Sequence, residues 1–83
     1  MMFSPEKIQG LIEVGLPGAK AIARDTTGTS DHFELVVVSS SFTGKGMVER
    51  HRMVYGVLGA AVGAEIHALS LKTYTPEEAE KRG

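Results

Sequence analysis

The segment HFELVVVS, residues 32–39, constrains this chain more than any other. It is dense in β-branched and aromatic residues and partly alternates, which predicts a strand. Phe33, Leu35 and Val37 fall on one face, and His32, Glu34, Val36 and Val38 on the other. The stretch that follows, SSSFTGKG, is polar and glycine-containing and predicts an irregular loop. Beyond it, Met47, His51, Val54 and Tyr55, Leu58 and Val62 recur at helical spacing, which predicts a helix over residues 47–62, stopped by Gly63. A second extended run covers residues 66–74, with Leu69 and Leu71 inward. Two strands joined by a helix run parallel, through a right-handed crossover.

Upstream, Ser4 is a good N-cap and Pro5 occupies the first helical position, where its missing N–H costs nothing. Ile8, Leu11 and Ile12 make the apolar stripe of this first helix, Phe3 stands where it can staple to Ile8, and Gly15 with Pro17 ends it. Residues 20–26 form the weakest strand, joined by the turn-rich loop TGTSD to the strand at 32–39 as a hairpin. At the other end, Thr75-Pro76-Glu77-Glu78 has a capping-box pattern. The helix it opens, residues 76–82, has Ala79 as its one apolar residue and is expected to fray. The order is α-β-β-α-β-α: an α/β (α+β) domain with a three-stranded mixed sheet and the first two helices on one face. Its 83 residues make a single domain, residues 1–83.

Composition excludes several function classes. Formal net charge is −1, which disfavours nucleic-acid binding driven by bulk charge. With no cysteine there is no disulfide and no thiolate metal site, so a soft metal or iron–sulfur cluster would need sulfur from a partner. The apolar runs at 35–38 and 57–62 are too short to span a membrane, and MMFSPEK lacks the features of a signal peptide. A cytoplasmic location and no membrane partner are expected.

No catalytic motif stands in the sequence: there is no G-x-S-x-G, H-E-x-x-H, Walker loop or dinucleotide fingerprint. Gly44-Lys45-Gly46 lacks the flanking residues of a phosphate loop. The chain is therefore not expected to be an enzyme. Three histidines are the candidates for metal chemistry. His32 and His67 each start a strand of the parallel pair and so lie at one end of the sheet, although strict alternation puts them on opposite faces. His51 lies about 16 Å from that end, by helical rise, on the apolar stripe of the second helix, where a hydrogen-bonded structural histidine is expected. Lys45, Arg50 and Arg52 form a small basic cluster suited to phosphates, or simply a solvated helix surface. Gly56, Gly59 and Gly63 share a face with Arg52 and suit either close approach of a partner or tight packing on the sheet.

Three linked segments, DHFELVVVSSSF, GKGMVERHRMVYGVLG and IHALSLKTYTP, resemble the BolA family over nearly the whole chain. The resemblance implies an α-β-β-α-β domain similar to the class II KH fold. It implies a non-enzymatic adaptor that pairs with a monothiol glutaredoxin and shares a bridged 2Fe-2S cluster, in iron–sulfur trafficking or iron and redox regulation. The glutaredoxin supplies a cysteine and bound glutathione, no cluster is bound by this chain alone, and the histidine of I-H-A-L, His67, is the implied ligand. The family's second ligand lies in the loop between the first two strands, where this chain has Thr29; His32 is the nearest substitute. Members often carry a tryptophan where Ala79 stands. Other members regulate transcription by binding DNA through the second helix, which here falls on Lys45, Arg50 and Arg52. A weak homodimer is compatible with the sequence.

Overall fold

The computed structural model describes residues 4–26, 32–59 and 68–82. Helix α1, Pro5–Gly15, begins as its sequence dictates: the Ser4 hydroxyl accepts a hydrogen bond from the Lys7 amide at 3.1 Å, with Pro5 in the first turn. Ile8 and Ile12 are buried on its inner face. Phe3, and with it the staple to Ile8, lies outside the described residues.

Strand β1, Lys20–Asp25, pairs antiparallel with β2, His32–Val38, and β2 pairs parallel with β3, Ala68–Tyr74. The sheet order is β1-β2-β3, as expected from a hairpin followed by a crossover. β1 stops one residue short of the expected 26, although the Thr26 amide still donates to the His32 carbonyl at 3.0 Å. β2 stops before Ser39, whose hydroxyl instead accepts from the Ser41 amide at 3.0 Å and starts a 3-10 turn, Ser40–Phe42. The SSSFTGKG stretch is thus not wholly irregular. That turn drives Phe42 into full burial. β3 is described from Ala68; Ile66 and His67 lie outside the described residues.

Helix α2, Met47–Leu58, is shorter than the 47–62 that apolar spacing predicts. Gly59 adopts φ +62°, a left-handed value that ends the helix, and its amide closes on the Tyr55 carbonyl at 2.8 Å. The predicted stop, Gly63, is outside the described residues. The helix expected to fray is regular over Pro76–Arg82 (α3), with a reciprocal capping box: Thr75 N–H to Glu78 Oε1 at 2.8 Å and Glu78 N–H to Thr75 Oγ1 at 3.2 Å.

Alternation decides which face of the sheet is covered. Ala19, Ala21 and Ala23 from the β1 segment and Phe33, Leu35 and Val37 from β2 are buried against Ile8 and Ile12 of α1 and Val54 and Leu58 of α2. Leu69 and Leu71, in register with Phe33 and Leu35, pack against this cluster. Each large apolar side chain buried this way contributes about 1.5–3 kcal/mol. The helices meet closely: a Cβ built on Gly15, the last residue of α1, would overlap the Val57 side chain of α2.

Among the described residues no helix covers the middle of the opposite face. It carries Lys20, Ile22 and Arg24 from β1, Glu34, Val36 and Val38 from β2, and Ser70 and Lys72 from β3. The outer edge of β1 is not bare. The Ala23 amide points away from β2 and donates to Gln9 Oε1 of α1 at 2.9 Å, so the helix supplies an acceptor that a further strand would otherwise provide.

Candidate functional site

β2 and β3 are parallel, so their first residues share one end of the sheet. His32 opens β2, half-buried on the open face, and its Cα partner across the ladder is Ala68. Its carbonyl accepts both the amide and the hydroxyl of Thr26, at 3.0 and 3.2 Å, which fixes the base of the hairpin where the imidazole emerges. His67 and Thr29 lie outside the described residues; in sequence, position 67 is one peptide bond before Ala68. Among the described residues no three His, Cys, Asp or Glu side chains are grouped to hold a metal ion. His32 therefore has no ligand set of its own there. With no cysteine in the chain, the donors on offer are imidazoles, and these fit an iron–sulfur cluster only where a partner adds thiolates.

His51 stands apart from this end. Its ring packs edge-on against Tyr55, with centroids 6.4 Å apart and planes at 89°. Its Nε2 is buried without a hydrogen-bond partner among the described residues, so the expected hydrogen-bonded histidine is held by aromatic contact instead.

The three members of the basic cluster have different surroundings. Arg50 Nε donates to the Lys45 carbonyl at 2.9 Å, and its two terminal nitrogens reach Glu78 Oε1 at 2.7 Å and Oε2 at 3.4 Å. Its guanidinium also lies 5.8 Å from the centre of the Phe42 ring. Only 12% of the Arg50 side chain is exposed, against 47% for Glu78. This guanidinium joins the start of α2 to the start of α3, and it is not open to a phosphate without breaking that join. The Arg50 hydrogen bond, followed by the Thr75 amide, holds the Glu78 carboxyl below the ordinary glutamate value. A groove of about 350 Å³ lies over this join, lined by Met47, Arg50, Thr73, Tyr74, Glu78 and Lys81. Arg52 is exposed on the outer side of α2, and the Lys45 side chain is half-buried beside the Gly44 turn. Neither forms an ion pair among the described residues.

Two of the aligned glycines separate likewise. Gly59 is needed for its positive φ, whereas a Cβ on Gly56 would meet nothing within 4 Å, so packing on the sheet does not require it. Sequence reasoning missed Glu78 as the partner of Arg50. The capping-box pattern marks Glu78, but nothing local links it to a residue 28 positions away.

The model of the BolA-like protein family matches residues 16–78. The DNA-binding transcriptional regulator BolA of Escherichia coli K12 is 45% identical over 53 residues, covering 64% of this chain and 50% of that protein. The aligned stretch thus spans half the length of that relative, and 37% of the human BolA-like protein 1. Among solved structures, a BolA protein homologue from Coxiella burnetii matches with TM-score 0.81 and 44% identity, covering 95% of this chain and 99% of that one. The BolA domain of SufE1 from Arabidopsis thaliana matches with TM-score 0.78 and 30% identity, covering 94% and 99%. These solved structures carry the same mixed sheet, and the expected fold class stands. From the family match over 16–78 and these structural likenesses, the chain belongs to the BolA-like protein family.

Proposed function

We propose that this chain is a non-enzymatic adaptor that docks on a monothiol glutaredoxin and contributes His67 to a shared 2Fe-2S cluster, in the cytoplasm. The observation that carries the reading is the parallel register that sets His32 directly across from Ala68, next in sequence to His67. His32 thus opens its strand across from the residue that follows His67 in sequence. The lack of any cysteine supports a division of labour in which this chain gives nitrogen and the partner, with its glutathione, gives sulfur. His32 is the second candidate ligand. When bound, the cluster would supply electron-transfer or transfer-cargo chemistry; this chain would hold it through the His67 imidazole, with His32 as the second candidate.

The test mixes the protein with a cluster-loaded monothiol glutaredoxin and follows visible circular dichroism. A changed spectrum is expected, abolished by His67→Ala and altered by His32→Ala. An unchanged spectrum, or a His67→Ala variant identical to wild type, refutes the reading.

A second reading, DNA binding through α2, is favoured by the exposed Arg52 and by the likeness to the Escherichia coli DNA-binding transcriptional regulator. With Arg50 tied to Glu78, Lys45 and Arg52 remain for phosphates. Two contacts predict a shallow salt dependence, a slope of about −2 in log K against log salt. No duplex binding at low salt rules this reading out.

A further inference from the structure

A notch opens where α3 leaves the sheet, at the opposite end from His32. It has a volume of about 390 Å³ and is lined by Gly18, Lys20, Val38, Pro76, Ala79 and Glu80. Its apolar surface comes from Val38, Pro76 and Ala79, and the small methyl of Ala79 leaves the space unfilled. The notch runs onto the open face of the sheet. There Ile22 is 62% exposed and sits in register with Val36 and Lys72, next to the Lys20–Val38–Tyr74 row.

The charge on this face is uneven. Lys20, Arg24 and Lys72 are exposed and form no ion pair among the described residues, while Glu34, opposite Arg24, is the one acid of the three strands' open face. Glu80 stands on the α3 wall of the notch. A chain of net charge −1 thus gathers cations around an apolar strip. An apolar centre with a charged rim is the anatomy of a protein interface.

We propose that the notch and the adjoining sheet face bind an acidic protein segment carrying one bulky apolar side chain. The side chain fills the space beside Ala79, and flanking carboxylates meet Lys20, Lys72 and Arg24.

Size argues for a segment over a whole domain. Three strands about 4.8 Å apart and about five residues long at 3.3 Å make a platform of roughly 250 Å². A stable globular interface needs about 800 Å² from each partner. A second copy of this chain would bring like cations together. Single-stranded nucleic acid would want several aromatic platforms for its bases, and the open-face positions among the described residues hold one Tyr, Tyr74, and no Phe or Trp. Strand addition at the β1 edge, the edge nearer the Lys20 wall of the notch, is opposed by Gln9 on the Ala23 amide. The notch lies about 20 Å along β2 from His32, so it is independent of the proposed cluster end.

The test uses the full chain, ¹⁵N-labelled, titrated with the blocked peptide Glu-Asp-Trp-Asp-Glu. Shifts are expected at Gly18, Lys20, Val38, Lys72 and Ala79, with affinity falling as salt rises. Replacing the peptide tryptophan by alanine should weaken binding about tenfold, the loss of one anchor. Ala79→Trp fills the notch from within and should abolish peptide binding in a folded protein. Lys72→Glu should weaken it about threefold to tenfold without touching the notch. The proposal is overturned by no shifts at millimolar peptide, or by undiminished binding to Ala79→Trp. Equal affinity for Lys-Lys-Trp-Lys-Lys, or stronger shifts on this face from a ten-residue oligothymidylate, overturns it as well, the latter in favour of a nucleic-acid surface.

Discussion

At Gly15 α1 lies close against Val57 of α2, and replacing the glycine with alanine tests the packing directly. In an isolated helix the change is favourable by up to about 1 kcal/mol, less at a terminal position. Here the new methyl lands on Val57, overlapping Cγ1 and lying 2.8 Å from Cγ2 and 3.1 Å from Cβ. A β-branched side chain in a helix has little rotamer freedom with which to move away. Overpacking of this kind costs about 1–3 kcal/mol, so Gly15→Ala should destabilise the fold by a net 1–2 kcal/mol or so. Total stability for a chain this size is about 4–12 kcal/mol, so the loss is measurable without unfolding the protein. Urea denaturation gives the midpoint, and an unchanged slope shows that the native state is intact. The discriminating measurement is the cycle with Val57→Ala, which removes the methyls in the way. The double variant should be more stable than the sum of the single losses predicts, by about 1 kcal/mol. A neutral or stabilising Gly15→Ala, or strict additivity, refutes the close approach.

Phe42→Ala should destabilise by about 3–5 kcal/mol in the same assay, because the ring is wholly buried and the 3-10 turn and Arg50 rest on it. Glu78 has a lowered carboxyl pKa, so its contribution is complete above the ordinary glutamate value and lost as pH falls through the lowered one. Glu78→Gln should therefore flatten the acid limb of α3 melting followed by amide NMR, and an unchanged acid limb contradicts the Arg50–Glu78 join. Gln9→Ala leaves the Ala23 amide without its side-chain acceptor and should cost about 1 kcal/mol while raising self-association in ultracentrifugation. A variant that stays monomeric and fully stable would show that the edge needs no cover.

The elements with local signals were legible. Ser4-Pro5 and Gly15 bracket α1 because caps and terminators act within a few residues. The burial of Phe33, Leu35 and Val37 follows from alternation, and the parallel pairing of β2 with β3 from the helix between them. The end of α2 was misplaced because Val62 continues the helical period beyond Gly59, and periodicity carries no information about a left-handed φ. Phe42 was hidden by polar neighbours. Of the candidate site, the shared end of the two strands could be read, with His32 placed as expected and His67 outside the described residues. The engagement of Arg50 could not, since long-range ion pairs leave no pattern in sequence.

The Arg50–Glu78 join changes what counts as the minimal unit of this domain. By apolar area α3 is dispensable: it brings little beyond Ala79 to the interior. Yet cutting the chain after Tyr74 would take the carboxylate from a guanidinium whose side chain is 12% exposed with α3 in place, leaving it the Lys45 carbonyl and the Phe42 ring. Freed of Glu78 and uncovered by α3, that cation is drawn to water, away from the Lys45 carbonyl and the Phe42 ring that seat it at the start of α2. The family match ends on residue 78, the carboxylate that prevents this. Truncated versions for biophysical work should therefore keep Thr75 to Glu78, and a shorter fragment would report on a damaged α2 rather than on a trimmed tail.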